Sequence, residues 1–279
     1  MADATLALNF GVASERTVLN VVRQEPPWRA LRAFRNASGE ALVHLHNVSG
    51  GILGGDELRL EAVLQPGAQA QLAAVGATRV YRRRVGGAAS SQATRFDVGE
   101  RALLEYLPDA VIPFAGSSFE QKSEIYLHAG AGLIWWETLS AGRIASGERF
   151  AFDRISVDTS IYAEGLPIAI ERYSLQPKIH NSCSPGRFGK YLYSSSMYVC
   201  LVGKPYEEWL QLEEELNFLV SAISTDVAKW GVSALASDGL VVRGMAQNAG
   251  AIREGLHFIW QSAKQRLFGR PALPPRRVY

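Results

Sequence analysis

Two histidines, His44 and His46, stand one residue apart ahead of Gly50, Gly51, Gly54, Gly55 and Asp56 in the stretch HLHNVSGGILGGD. Residues of these types serve three ends: metal ligation by imidazole, phosphate binding by a glycine loop, or a backbone turn. Phosphate fails on spacing. Gly50 and Gly55 match the glycines of a G-x-x-x-x-G-K loop, yet Asp56 stands where the lysine belongs and would repel a phosphate. The dinucleotide pattern fails too, because Ile52 holds the place of its second glycine, and a strand rather than a helix follows.

Metal is a closer contest. On a strand His44 and His46 point to one face, as two ligands of one ion would. No cysteine or carboxylate at ligand spacing completes the set, and Asp56 would have to return across a hairpin. Half-buried histidines bonded to backbone are the simpler reading, and His128 and His180 stand alone. Nucleophilic chemistry has less to offer. No serine sits in G-x-S-x-G, and neither Cys183 nor Cys200 lies at an electropositive helix start. The chain reads as a non-enzyme, and Gly50, Gly51, Gly54 and Gly55 as turn residues supplying positive φ or close backbone packing.

The elements that hold these residues are mostly strands. From about residue 40 to 175 the period is two: Leu58, Leu60, Ala62 and Leu64 form one row, and Phe119, Gln121, Ser123, Ile125 and Leu127 another. Gly67, Gly99 and Gly130 mark turns 32 and 31 residues apart, with a looser fourth at Gly165. A strand, a tight turn and a strand at that interval predict stacked coils of a β-solenoid, with a β-sandwich of regular hairpins as the competitor. After a turn-rich loop at 181–191, Pro205 opens a helix carrying Trp209, Leu212, Leu216, Leu219 and Ile223 on one face. A hairpin turning at Asp238-Gly239 follows, then a last helix capped by Asn248 and ended by Gly269. The expectation is a mainly β, solenoid-like body of many short strands (1–176) with a loop and an α-β-β-α section (177–279), together one domain.

Composition sets outer limits. The 279 residues allow a sizeable core, and 47% hydrophobic with 20% charged residues is ordinary for a soluble globular protein. A net charge of +2 gives no case for nucleic acid, and Arg82-Arg83-Arg84 reads as a solvated turn. There is no membrane-length apolar run and no signal-peptide pattern at the start, and two cysteines make no disulfide framework. A cytoplasmic chain with reduced thiols is expected.

Several motifs in order give a sharper reading. After the GG-x-x-x-GD turn (Gly50, Gly51, Gly55, Asp56) come Thr78-Arg79-Val80-Tyr81, LEYLPDAVIPF at 104–114 and GRIASGERF at 142–150. LVVRGMA at 240–246, FIW at 258–260 and the terminal PPRRVY complete the series. Together these resemble the urease accessory proteins called UreD or UreH, from about residue 40 to 279, with Arg79 in place of the usual lysine. The resemblance implies a non-catalytic scaffold with a β-helical body and two helices. It would bridge apo-urease to the accessory proteins UreF and UreG and help deliver Ni²⁺ to the urease active site, with no nucleic-acid or membrane partner. No tightly bound cofactor is implied, only transient Ni²⁺, which family members are proposed to pass through an internal tunnel. Such a tunnel would be lined by carboxylates and water. Asp56, Glu105, Asp109 and Glu148 are candidates, and Asp56 and Glu148 stand out because they adjoin glycine-rich turns. The tryptophan-rich helical section, with Trp209 and Trp260, is a place for UreF to dock. Of the adjacent pair Trp135-Trp136, either one lies in the core and the other at an interface, or both lie in the core. Two rivals compete: a carbohydrate-binding or hydrolytic β-solenoid using Glu105 and Asp109, and a free-standing metal binder using His44 and His46.

Overall fold

The computed structural model describes residues 1–35 and 39–274; the proline-arginine end at 275–279 lies outside them. Strands β1 (Asp3–Ala13) and β2 (Arg16–Gln24) form a first hairpin, and the short β3 (Trp28–Ala30) and β4 (Phe34–Arg35) lead to β5 (Ala41–Asn47). The chain continues through β6 (Glu57–Leu64), β7 (Gln69–Ala74), β8 (Thr78–Val80), β9 (Ser90–Val98) and β10 (Leu103–Leu107). Then come β11 (Val111–Pro113), β12 (Ser118–Leu127), β13 (Gly132–Ser140), β14 (Arg154–Ala163) and β15 (Leu166–Leu175). The last part holds β16 (Tyr193–Leu201), α1 (Tyr206–Ile223), β17 (Ala228–Ala234), β18 (Gly239–Ala246) and α2 (Ala249–Phe268).

Two sheets result, ordered β15-β14-β12-β9-β6-β1-β2 and β17-β18-β16-β13-β10-β7-β5-β3. Between β6 and β14 the longer strands fall alternately in one sheet and the other, and neighbours within each sheet run parallel. The sheets do not close on one another. The period-two rows explain the pairing. On β6, Leu58, Leu60, Ala62 and Leu64 are buried while Glu57 and Glu61 are exposed, which fixes that face toward the second sheet. Gly67, Gly99 and Gly130 lie at the corners where the chain changes sheet, and the corners stack. Gly67 N–H donates to Glu100 O at 2.8 Å, and Arg101 N–H to Ala129 O at 3.0 Å. A Cβ on Gly99 would stand 2.6 Å from Leu64 O, so no larger residue fits that stack. Gly165 differs: it turns β14 into antiparallel β15 within the same sheet.

There are two apolar cores. One lies between the sheets and includes Leu60, Phe96, Leu104, Ile125 and Trp135. The other joins the outer face of the second sheet to the helices and includes Ile134, Trp136, Met197, Trp209 and Trp260. Both faces of β13 are therefore covered, and Trp135 and Trp136 are both buried, one in each core. The helices follow their sequence signals. Pro205 stands at the N-cap of α1, which buries Trp209, Leu212, Leu216 and Val220. Asn248 caps α2 by accepting from Ala251 N–H at 2.9 Å, and Gly269 ends it with φ 61°. β16, which the sequence left unassigned, pairs antiparallel with both β13 and β18 and ties the helical section to the second sheet. No described helix is long and apolar enough to cross a membrane.

Candidate functional site

The inter-sheet space is not uniformly dry. A cavity of about 250 Å³ opens there, lined by Gln92, Thr94, Gln121, Ser123, Glu137 and Glu171 among others. Alternation places them: Gln121 and Ser123 share the inward row of β12 with Phe119 and Ile125, and Glu137 shares a face of β13 with Leu133, Trp135 and Leu139. Glu137 is half-buried and lines this cavity. It accepts from Gln121 Nε2, from Thr159 Oγ1 at 3.2 Å and from Ser123 Oγ at 3.5 Å. Burial pushes its carboxyl up to about 7 and nearby Glu171 adds to the rise, while the hydrogen bond from Thr159 opposes it. Glu171, on β15, reaches across to the second sheet, where it accepts from Tyr198 Oη at 2.5 Å and from Arg243 Nη1 at 2.7 Å.

Two further cavities adjoin the first. One, of about 430 Å³, lies under α2 and shares Pro108, Asp109 and Thr138 with it. The other, of about 200 Å³, lies beside the glycine run and shares Thr78, Gln92, Tyr106 and Pro108. Pro108 borders all three. The walls of the first cavity are largely apolar, and the oxygen-bearing side chains on them, Asp109, Glu137 and Glu171 among them, could offer weak ligands to a hard or borderline cation.

The residues singled out from sequence fall unevenly on this arrangement. Asp109 borders the first two cavities, His44 the one under α2, and His46, Gly50 and Gly51 the third. His44 and His46 thus face different spaces. Burial lowers the His44 pKa, and its Nε2 is enclosed without a hydrogen-bond partner. Among the described residues no three His, Cys, Asp or Glu gather as a metal set. Asp56 and Glu148 border none of the three cavities. Asp56 instead accepts from Ala2 N–H at 2.7 Å and Leu53 N–H at 2.9 Å, closing the glycine turn on the N-terminus. Glu148 binds Arg143 and accepts from Ala115 N–H at 3.1 Å, and the Arg143 hydrogen bond holds its carboxyl below the usual range. Both accept from backbone N–H groups because they adjoin turns. Asp56→Ala is expected to lower unfolding stability by about 2 kcal/mol, since it strands two N–H donors; a urea titration reads this directly.

The glycines have local reasons. Gly50 and Gly55 hold φ of 79° and 86°, and a Cβ on Gly51 would stand 2.6 Å from Arg79 O. The sequence reading missed Glu137, Glu171 and Arg243. The available signal was polar side chains on inward rows, Gln121 and Ser123 among them.

Comparison with known proteins bears on what this interior serves. Residues 2–279 match the family described as UreD urease accessory protein. The chain is similar to the urease accessory protein UreD of Herpetosiphon aurantiacus, 42% identical over 98% of this chain and 96% of that one. It is also similar to that of Dechloromonas aromatica, 34% identical over 98% and 93%. The chain belongs to the UreD family. Within this UreD-family chain the LEYLPD motif has a packing role. Its Glu105 is buried on β10, where it accepts from Trp260 Nε1 at 2.5 Å and pairs with Lys264 Nζ, also at 2.5 Å. Lys264, fully buried on α2, pairs as well with Glu40 at 2.8 Å. Burial drives the Glu105 carboxyl upward while Lys264 pulls it down. This cluster ties α2 to the second sheet, so Glu105 and Asp109 do not form an open catalytic pair. Trp209 and Trp260 are fully buried, and neither side chain is available to a partner in this state.

Proposed function

We propose that the protein is a urease maturation factor that works as a non-catalytic cytoplasmic scaffold. It holds apo-urease together with UreF-like and UreG-like accessory proteins and conducts Ni²⁺ toward the urease active site. The winding of the body is read as stacked solenoid coils, because from β6 to β14 the chain crosses between sheets at each longer strand and its corners stack. A cavity lies between the two sheets of that winding. The observation that carries the proposal is the Glu137 carboxylate, held by Gln121, Ser123 and Thr159 on the wall of an inter-sheet cavity that adjoins two others at Pro108. An apolar core would not hold a carboxylate there without a use for it, because its desolvation is costly.

In this reading the ion meets single oxygen ligands in turn, with Asp109, Glu137 and Glu171 as waypoints and His44 and His46 at the flanks. Ligands met one at a time bind weakly enough to release the cargo onward. Partner docking falls to the exposed side of α1, where Tyr206, Leu210 and Phe218 are exposed while the tryptophans beneath hold the helix in place. The test replaces Glu137 by glutamine, which keeps the size and removes the charge. Urease matured with Glu137→Gln is expected to carry at least about tenfold less nickel, the loss of one charged ligand from a path of few, with complex assembly intact. Normal nickel content would overturn the path.

A further inference from the structure

The cavity between the sheets has a cation of its own. Arg243, on β18, lines it beside Glu171 and Ser196. Its Nη1 donates to Glu171 Oε1 at 2.7 Å and to Ser196 Oγ at 3.1 Å. The Arg243 side chain is 57% exposed and that of Glu171 19%, so the pair marks where the cavity meets solvent. Glu137 lines the same cavity as this pair. Glu171 belongs to the first sheet and Arg243 to the second, so their contact also closes the gap between the sheets.

We propose that Arg243 is a tethered stand-in cation that occupies Glu171 until a divalent cation displaces it, and thereby sets which ions enter the cavity. The inference rests on the ion path proposed above and adds its entry rule. Three features support it. The guanidinium is permanently charged, so the site stays neutralised in the empty state. It reaches the carboxylate from solvent, so it can swing outward and stay hydrated when displaced. A monovalent ion brings no more charge than the guanidinium and lacks its directed hydrogen bonds, whereas a divalent ion brings twice the charge to Glu171 and Glu137 together. Displacement breaks the two Arg243 hydrogen bonds and forms cation–oxygen contacts; no covalent bond changes.

The experiment measures Ni²⁺ binding to the full chain by isothermal titration at fixed salt, with folding checked by circular dichroism. Arg243→Gln is expected to raise Ni²⁺ affinity about tenfold, because the competitor is gone. Arg243→Lys should stay near the parent, since the charge remains. Ser196→Ala, which removes one anchor of the guanidinium, should give a smaller rise of about twofold. Adding Glu171→Gln to Arg243→Gln should abolish the gain. A merely structural tie would leave Ni²⁺ affinity unchanged in Arg243→Gln and Ser196→Ala while both lose thermal stability, and that result overturns the proposal. So does a gain that survives Glu171→Gln. Should Ni²⁺ affinity fail to rise while Glu137→Gln still blocks nickel loading of urease, the stand-in role falls and the path stands. Should Glu137→Gln load urease normally, both fall.

Discussion

Glu137→Gln is expected to make the metal-free protein more stable than its parent at about pH 8, while it impairs nickel transfer. The sign follows from proton binding. In the folded chain the Glu137 carboxyl is raised from the ordinary 4.5 to about 7. Between those values the folded state holds a proton that the unfolded state has released, so the parent loses stability as pH rises through that window. Below about 4.5 both states are protonated and the contribution vanishes. Glutamine is neutral throughout and escapes the loss. The full shift corresponds to about 3 kcal/mol; because the carboxylate faces a cavity that can admit water, a gain of about 2 kcal/mol is the expected figure. Urea unfolding of both proteins at about pH 8 and at about pH 4.5 tests this. A variant that matches the parent at the higher pH would show that the carboxylate is well solvated and that the cavity is no enclosed passage. A stabilising change that costs function is the mark of a residue kept for use.

The second large effect lies at Lys264. Lys264→Met is expected to destabilise the fold by about 3 to 5 kcal/mol, because it leaves Glu40 and Glu105 buried without the ammonium between them. The chain-distant pairing means the damage is not local: α2 would loosen from β10 and from the residues ahead of β5. The penalty should shrink as pH falls and Glu105, whose carboxyl burial already pushes upward, takes up a proton, since a neutral carboxyl tolerates burial. Denaturant midpoints of parent and variant over a pH series read both features. Equal midpoints at neutral pH would mean that the cluster contributes nothing net. Glu105→Gln with Lys264→Met should recover part of the loss, as expected when paired charges are removed together.

The sequence carried the scaffold further than the site. Rows such as Leu58, Leu60, Ala62 and Leu64 report one buried face directly, and the cap residues Asn248 and Gly269 delimit α2 where they should. β16 escaped because its serine run and its buried Met197, Tyr198, Val199 and Cys200 show no alternation; the strand is covered on both faces. The cavity escaped for another reason. Glu137, Glu171 and Arg243 meet only because strands from two sheets face one another, and spacing along the chain says nothing of that. The acids near glycines drew notice instead, yet a carboxylate beside a turn finds free backbone N–H groups first, as Asp56 and Glu148 do. Lys264 could have been read as well: it falls four residues after Trp260 and eight after Leu256, on the buried stripe of α2, where an unpaired charge has no place.

The proposal that this chain carries nickel into urease comes down to one comparison. Urease subunits are produced with the other accessory proteins in nickel medium, with this chain present or absent, and the purified urease is assayed for bound nickel and urea hydrolysis. The account expects both to be high with the chain and near background without it. Equal nickel and equal hydrolysis in its absence would contradict it.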